Sequence, residues 1–208
     1  MIQPGKNNCT NNKDDNCNLI VLTGGPGAGK TAVLEILNRQ LCESVAILPE
    51  AASIIFSGGF WRLSSTSAQI AAQKAIFFVQ REMENLVLAE ESWTMGLCDR
   101  GTLDGLAYWP EEEDSYWKTF STTREKEYAK YKAVFHLRTP SLEQGYNHQN
   151  PVRNESVDEA KKIDKRIEEV WKDHPNYFII NSADSFVEKA NAACKKIIDF
   201  IPESCRHK

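Results

Sequence analysis

At 208 residues, with 41% apolar and 26% charged side chains, the chain has the length and balance of one globular domain with a full core. A formal charge of -4 and the lack of a dense Lys/Arg cluster argue against a nucleic-acid partner, which would select a basic face. The apolar stretches are far shorter than a bilayer requires, so no membrane association is expected.

Residues 1–17, rich in Asn, Lys and Asp, read as a disordered polar tail; an export signal would place an apolar segment there. The six cysteines, Cys9, Cys17, Cys42, Cys98, Cys194 and Cys205, form no C-x-x-C pair and lack metal-ligand spacing. Reduced thiols in a cytoplasmic protein are the expectation, and without export the sequons at Asn8 and Asn154 carry no meaning. Residues 18–208 are expected to form a single domain, with no internal repeat and no dividing linker.

The first apolar run, 19–23, leads into Gly24-Gly25-Pro26-Gly27-Ala28-Gly29-Lys30-Thr31 and then a helical pattern over 30–41. Strand, G-x-x-x-x-G-K-T, helix is the context that makes this a phosphate-binding loop. The glycines let backbone N–H groups converge on phosphate oxygens without Cβ interference. Lys30 supplies charge to the β- and γ-phosphates, Thr31 a hydroxyl to Mg²⁺, and the helix start its positive dipole end. ATP with Mg²⁺ is the expected ligand.

Further runs at 45–48, 93–98, 133–137 and 177–180 alternate with helical segments at about 65–91, after Thr102, at 122–131, 157–172 and 184–200. Such alternation implies an α/β fold, a parallel sheet with helices on both faces. Thr122-x-x-Glu125 and Ser156-x-x-Glu159 match the capping-box pattern. The second sets Arg153 just ahead of a helix, in a loop long enough to act as a lid or binding loop.

The run at 45–48 ends in Pro49-Glu50, where Glu50 can bind or deprotonate an acceptor hydroxyl or simply be a solvated first-turn residue. The run at 93–98 ends in Asp99-Arg100-Gly101. A carboxylate at a strand end beside the phosphate loop suits a Mg²⁺-directing role; the alternative is that Asp99 caps the next helix. Arg100 can stabilise charge on a transferring phosphoryl group or form a salt bridge. Asp104 reads as a first-turn acid favoured by the helix dipole.

On the long helix Gln69, Gln73, Gln80 and Glu84 share a stripe, read first as a solvated face and alternatively as amides lining a pocket. Phe60-Trp61-Arg62 can stack a planar ligand or belong to the core. Lys161, Lys162, Lys165 and Arg166 are expected to pair with Glu159, Glu168 and Glu169, leaving Arg153 as the basic residue that reaches phosphate.

With these residues in place the sequence resembles small P-loop kinases. It is most similar to the group of AAA-type ATP-binding domains that includes the nicotinamide riboside kinase domain, and more distantly to deoxynucleoside kinases. The residues concerned are 24–31, Pro49-Glu50-Ala51, Asp99-Arg100-Gly101, His136-Leu137-Arg138-Thr139-Pro140 and Asn150-Pro151-Val152-Arg153-Asn154-Glu155. The resemblance implies a P-loop NTPase fold with a five-stranded parallel sheet flanked by helices. It also implies an inserted lid, about 139–173, whose arginine closes over the phosphates, with Glu50 on the acceptor side and Asp99 on the metal side. The chain departs from deoxynucleoside kinases in having Glu50-Ala51-Ala52 for Glu-x-Trp and Asp99-Arg100-Gly101 for Glu-Arg-Ser, so the acceptor is left open.

A guanine-reading N-K-x-D occurs at Asn12-Lys13-Asp14-Asp15 but precedes the phosphate loop, where no base can be read. Two functions remain. One is a Mg-ATP-dependent kinase for a nucleoside, nucleotide or similar hydroxyl compound, with Lys30, Glu50, Asp99, Arg100 and Arg153 as its catalytic set. The other is a regulatory or partner-binding ATPase module. The glutamine stripe and Glu50 favour the kinase; the oligomeric state stays open.

Overall fold

The computed structural model describes residues 18–140, 157–182 and 185–206. Five parallel strands, β1 (Asn18–Thr23), β2 (Val45–Leu48), β3 (Met95–Asp99), β4 (Tyr131–Leu137) and β5 (Tyr177–Ile180), form one sheet in the order β2-β3-β1-β4-β5. The expected α/β architecture and its five strands are therefore present. Strand β1 pairs in register with β3 (Leu22 opposite Asp99) and with β4 (Thr23 opposite His136), so the strand ends carrying the phosphate loop and Asp99 lie side by side.

A central parallel strand is covered on both faces and reads as a continuous apolar run; Leu19 to Leu22 are all fully buried. Their alternation sorts them into two cores. Ile20 and Leu22 pack with Val33, Leu34 and Leu37 of α1 (Lys30–Gln40) and with Ala190, Ala193 and Ile197 of α7 (Phe186–Ile198). Leu19 and Val21 face Phe77 and Val87 of α3 (Thr66–Ala89), Leu103 of the 3₁₀ segment Thr102–Tyr108, and Ile167 and Trp171 of α6 (Val157–Trp171).

Two helices lie outside the sequence expectation. Helix α2 (Ala51–Ser57) starts directly after Glu50, and α4 (Glu113–Phe120) opens with two acids and buries Tyr116 and Phe120 at i, i+4 spacing. Both are too short to leave a clear period in the sequence. Helix α5 (Arg124–Tyr128) is capped by Thr123, which accepts from the Lys126 N–H, not by Thr122. The Thr122 hydroxyl instead donates to Glu127. The other capping box begins at Ser156, outside the described residues. Among the described residues, Cys42, Cys98, Cys194 and Cys205 form no disulfide. Among the described residues no helix is long and apolar enough to cross a membrane.

Trp171 shows how the second core is keyed. It is fully buried, stacks on Tyr128 at 5.7 Å and 19°, donates to Asp104 at 3.3 Å, and sits where a Cβ on Gly101 would approach within 2.9 Å. Trp171→Ala is expected to lower the unfolding free energy by about 3–5 kcal/mol, the cost of a large cavity, measured by chemical denaturation.

Candidate active site

The phosphate loop is shaped by positive backbone angles. Gly24, at φ +132°, lies where a Cβ would come within 2.1 Å of the Leu137 carbonyl oxygen, and Gly29, at φ +92°, packs under the Phe186 ring. No side chain fits at Gly24, so the motif's first glycine answers to strand β4 as well as to any phosphate.

Lys30 is buried and donates to the Gly24 and Gly25 carbonyls at 3.1 and 3.2 Å. Burial, then Arg100, lowers its ammonium to about 8, against the opposing pull of Asp99, Glu50 and Asp104. Thr31 donates to Asp99 Oδ2 at 2.8 Å, while the buried Asp99 Oδ1 has no partner among the described residues. Burial, outweighing Lys30, raises the Asp99 carboxyl above its ordinary value. A hydroxyl and a carboxylate with an unused, buried oxygen suit a hard divalent cation such as Mg²⁺, which takes one or two carboxylates and completes its shell with water and phosphate. Asp99 does not cap the 3₁₀ segment; Asp104 does, accepting from the Gly101 N–H at 2.9 Å.

Arg100 meets the salt-bridge alternative. Its Nε donates to Glu50 Oε1 at 2.6 Å, and its Nη1 to both Asp104 Oδ1 and the Gly24 carbonyl at 3.2 Å. Its backbone is at φ +77°, a strained setting for any residue that carries a Cβ. Glu50 is no solvated residue: it also accepts from Ser53 at 2.5 Å. Burial alone would lift its carboxyl, but Arg100, Lys30 and Ser53 together hold it at about 2. Asp104 exceeds the first-turn role, being buried and accepting from Thr23 and Trp171 as well.

From Lys30, Thr31, Asp99, Arg100 and Glu50 a cavity of about 770 Å³ extends along α3. Its far walls carry Gln69, Gln73, Gln80, Phe77, Tyr108 and Trp109, with Trp61 and Arg62 at one side and Arg166 of α6 at another. The glutamine stripe is thus a cavity wall, correcting the solvated-face reading: Gln80 and Glu84 are almost wholly buried. Of the acids expected to pair with the basic residues of α6, Glu168 pairs with Arg138 and Glu169 with Lys172. Arg153 and most of the expected lid loop lie outside the described residues.

Two anchors of the phosphate loop are not marked by any sequence motif. Asp164 accepts from the Gly25 N–H at 2.7 Å and from Thr139 Oγ1 at 3.2 Å, and hydrogen-bonds with His136 Nε2 at 3.0 Å. Burial opposes its charge, but His136, Gly25 and Arg138 hold its carboxyl at about 2. Lys189 donates to the Ala28 carbonyl at 2.8 Å. The available signal was position: Asp164 interrupts the stripe Ala160, Ile167, Trp171 on α6, and Lys189 the stripe Ala190, Ala193, Ile197 on α7. A charge inside an apolar stripe requires a partner there.

A family model described as an AAA domain matches residues 19–189. No protein of curated function matches the sequence. Solved structures that match include the thymidylate kinase of Ehrlichia chaffeensis, at TM-score 0.59 and 14% identity over 89% of this chain and 99% of that one. The thymidylate kinase of Candida albicans matches at 0.55 and 13%, over 91% and 97%. At these identities the likeness is one of fold, the P-loop kinase fold.

Behind the cavity wall, Glu84 is buried and takes hydrogen bonds from Gln80 and Tyr131, both at 2.8 Å. Burial lifts its carboxyl from 4.5 to about 6 despite those bonds. An acid whose folded value is raised is favoured below its unfolded value and penalised as pH climbs from 4.5 to 6. Glu84→Gln, which cannot titrate, should therefore gain stability relative to the parent by about 2 kcal/mol across that window and hold the gain at pH 8. Paired denaturation curves at pH 4.5 and 8 measure it, and an unchanged difference would refute it.

Proposed function

The chain belongs to this AAA-domain family, and from that premise we propose that it is a Mg-ATP-dependent kinase transferring a phosphoryl group to a hydroxyl of a nucleoside-like or nucleotide-like small molecule. The observation that carries the proposal is continuity: the phosphate loop, the Thr31–Asp99 pair and Glu50 open into one cavity with amide and aromatic walls. A module that only sensed nucleotide would have no use for a cavity that continues from the phosphate loop along α3.

In phosphoryl transfer the protein chiefly positions donor and acceptor and neutralises charge. Lys30 and the amides of the loop would hold the β- and γ-phosphates, with Lys30 exchanging its two loop carbonyls for phosphate oxygens. Thr31 and Asp99 would hold Mg²⁺, which when bound neutralises charge on the phosphate oxygens. Glu50, at about 2, is too weak a base to strip a hydroxyl before reaction. Each of its oxygens already takes one donor and retains a second lone pair. It can therefore accept the acceptor's O–H without breaking its pair with Arg100, orienting the nucleophile and taking the proton late in a loose transition state.

The test is a panel of nucleosides, nucleotides and vitamin-like alcohols with Mg-ATP, read as ADP release above the rate without acceptor. No acceptor raising that rate across the panel would overturn the kinase reading in favour of an ATPase or binding module. Lys30→Ala should weaken ATP binding by about 1.5–3 kcal/mol in calorimetry. Asp99→Asn should raise the Mg²⁺ concentration needed for half-maximal turnover. Glu50→Gln should leave ATP affinity intact and slow transfer by roughly 10²-fold, the low end for a lost general base.

A further inference from the structure

The apolar stripe of α3 that faces the sheet runs Phe77, Val87, with Gln80 and Glu84 set between them at helical spacing, and all four are buried. Gln80 Nε2 donates to Glu84 Oε1 at 2.8 Å. The Tyr131 hydroxyl donates to the same oxygen at 2.8 Å, and Tyr131 is itself pinned by the Thr102 N–H at 3.0 Å. Glu84 Oε2 is buried without a partner among the described residues, so any proton the carboxyl gains resides there and Oε1 stays an acceptor. An acceptor at that point excludes the flipped amide, which would set oxygen against oxygen. The Gln80 carboxamide is thereby fixed with its nitrogen turned inward.

Gln80 lines the cavity and Glu84 does not. With its nitrogen committed to Glu84, Gln80 keeps a carbonyl oxygen that takes no hydrogen bond from any described residue. Aromatic side chains share the wall: Phe77 adjoins Gln80 on α3, and Tyr108 and Trp109 face the same space. Gln73 approaches from two turns earlier on α3, its Oε1 so near the backbone of Gly105 that a Cβ there would lie 3.0 Å away. A flat ring in this chamber would meet an oriented oxygen at its edge.

We propose that Gln80 is a specificity-determining residue that selects ligands carrying an N–H donor on the edge of a planar ring, an imide or a primary carboxamide, with Glu84 as the positioning residue that fixes its amide. This rests on reading the cavity as the acceptor's chamber. A ligand that buries the Gln80 oxygen without offering a donor leaves it unsatisfied, and the penalty for an unpaired buried acceptor sets the discrimination.

The test measures binding rather than turnover, with a non-hydrolysable ATP analogue and Mg²⁺ present. The probes are uridine against N3-methyluridine, and benzamide against N,N-dimethylbenzamide, followed by calorimetry or ligand-observed NMR. The parent compound of a pair should bind at least about tenfold more tightly than its methylated partner. Gln80→Leu should erase that ratio while melting temperature and ATP-analogue affinity hold. Glu84→Gln, which frees the Gln80 amide to turn, should shrink the ratio with the wall's shape preserved. Equal affinities within the pairs, binding of neither N–H parent, or a ratio that survives Gln80→Leu would overturn the proposal. Phosphoryl transfer is scored separately: a Gln80-dependent N–H preference without acceptor-stimulated ADP release would uphold this assignment and overturn the kinase reading.

Discussion

The Arg100 guanidinium joins three strand ends. It reaches from the end of β3 to Glu50 beyond β2, to the Gly24 carbonyl beyond β1, and to Asp104 in the 3₁₀ segment. Parallel strands deliver their carboxyl ends to one edge, but nothing in the sheet holds the loops there at a set distance. A buried cation shared between two carboxylates and a carbonyl does so, since removing any partner would leave an uncompensated charge. The left-handed backbone at Arg100 is the local expense of aiming its side chain back across the edge rather than out to solvent.

The helices contribute by the same device in milder form. Asp164 on α6 takes the Gly25 N–H, and Lys189 on α7 takes the Ala28 carbonyl. The phosphate loop is thus gripped from below by two helices of opposite charge on the two faces of the sheet. Each grip places one charged group in an otherwise apolar stripe, a loss of hydrophobic burial of order 1–3 kcal/mol per position offset by charge-assisted bonds. What is gained is a phosphate loop whose shape is held from both faces of the sheet before any ligand arrives.

The phosphate-loop half of the site was legible because its pattern is local. Gly24 to Thr31 follow one another in sequence, and the strand before and helix after supplied the context, so Lys30, Thr31 and the five strands could be read directly. Asp99 and Glu50 followed from their place at strand ends. The cavity wall along α3 is assembled from residues far apart in sequence, which local pattern does not bring together. Gln80 and Glu84 looked like a solvated stripe because helical period alone cannot say which face meets the sheet; Phe77 and Val87 on the same stripe were the overlooked sign. Asp164 and Lys189 pair with backbone atoms of a loop more than a hundred residues distant, a partnership that side-chain patterns do not encode. Short helices α2 and α4 have too few turns to declare a period.

Lys30 and Asp99 set opposite charges side by side at this edge, which suits a ligand of both signs. Burial pulls the two groups the same way, toward neutrality: the ammonium is lowered to about 8, and the carboxyl is raised. Each partly compensates the other, yet Lys30 settles on loop carbonyls and Asp99 keeps a bare buried oxygen. An anion alone would steady Lys30 and set a like charge near Asp99, Glu50 and Asp104. A cation alone would steady Asp99 and oppose Lys30 and Arg100. A polyphosphate carrying its own divalent cation places negative charge over Lys30 and positive charge at Asp99 together, favouring the charged form of both groups. Of the ligands that a glycine-rich loop at a helix N-terminus can cradle, a magnesium-bound nucleoside triphosphate has that arrangement built in.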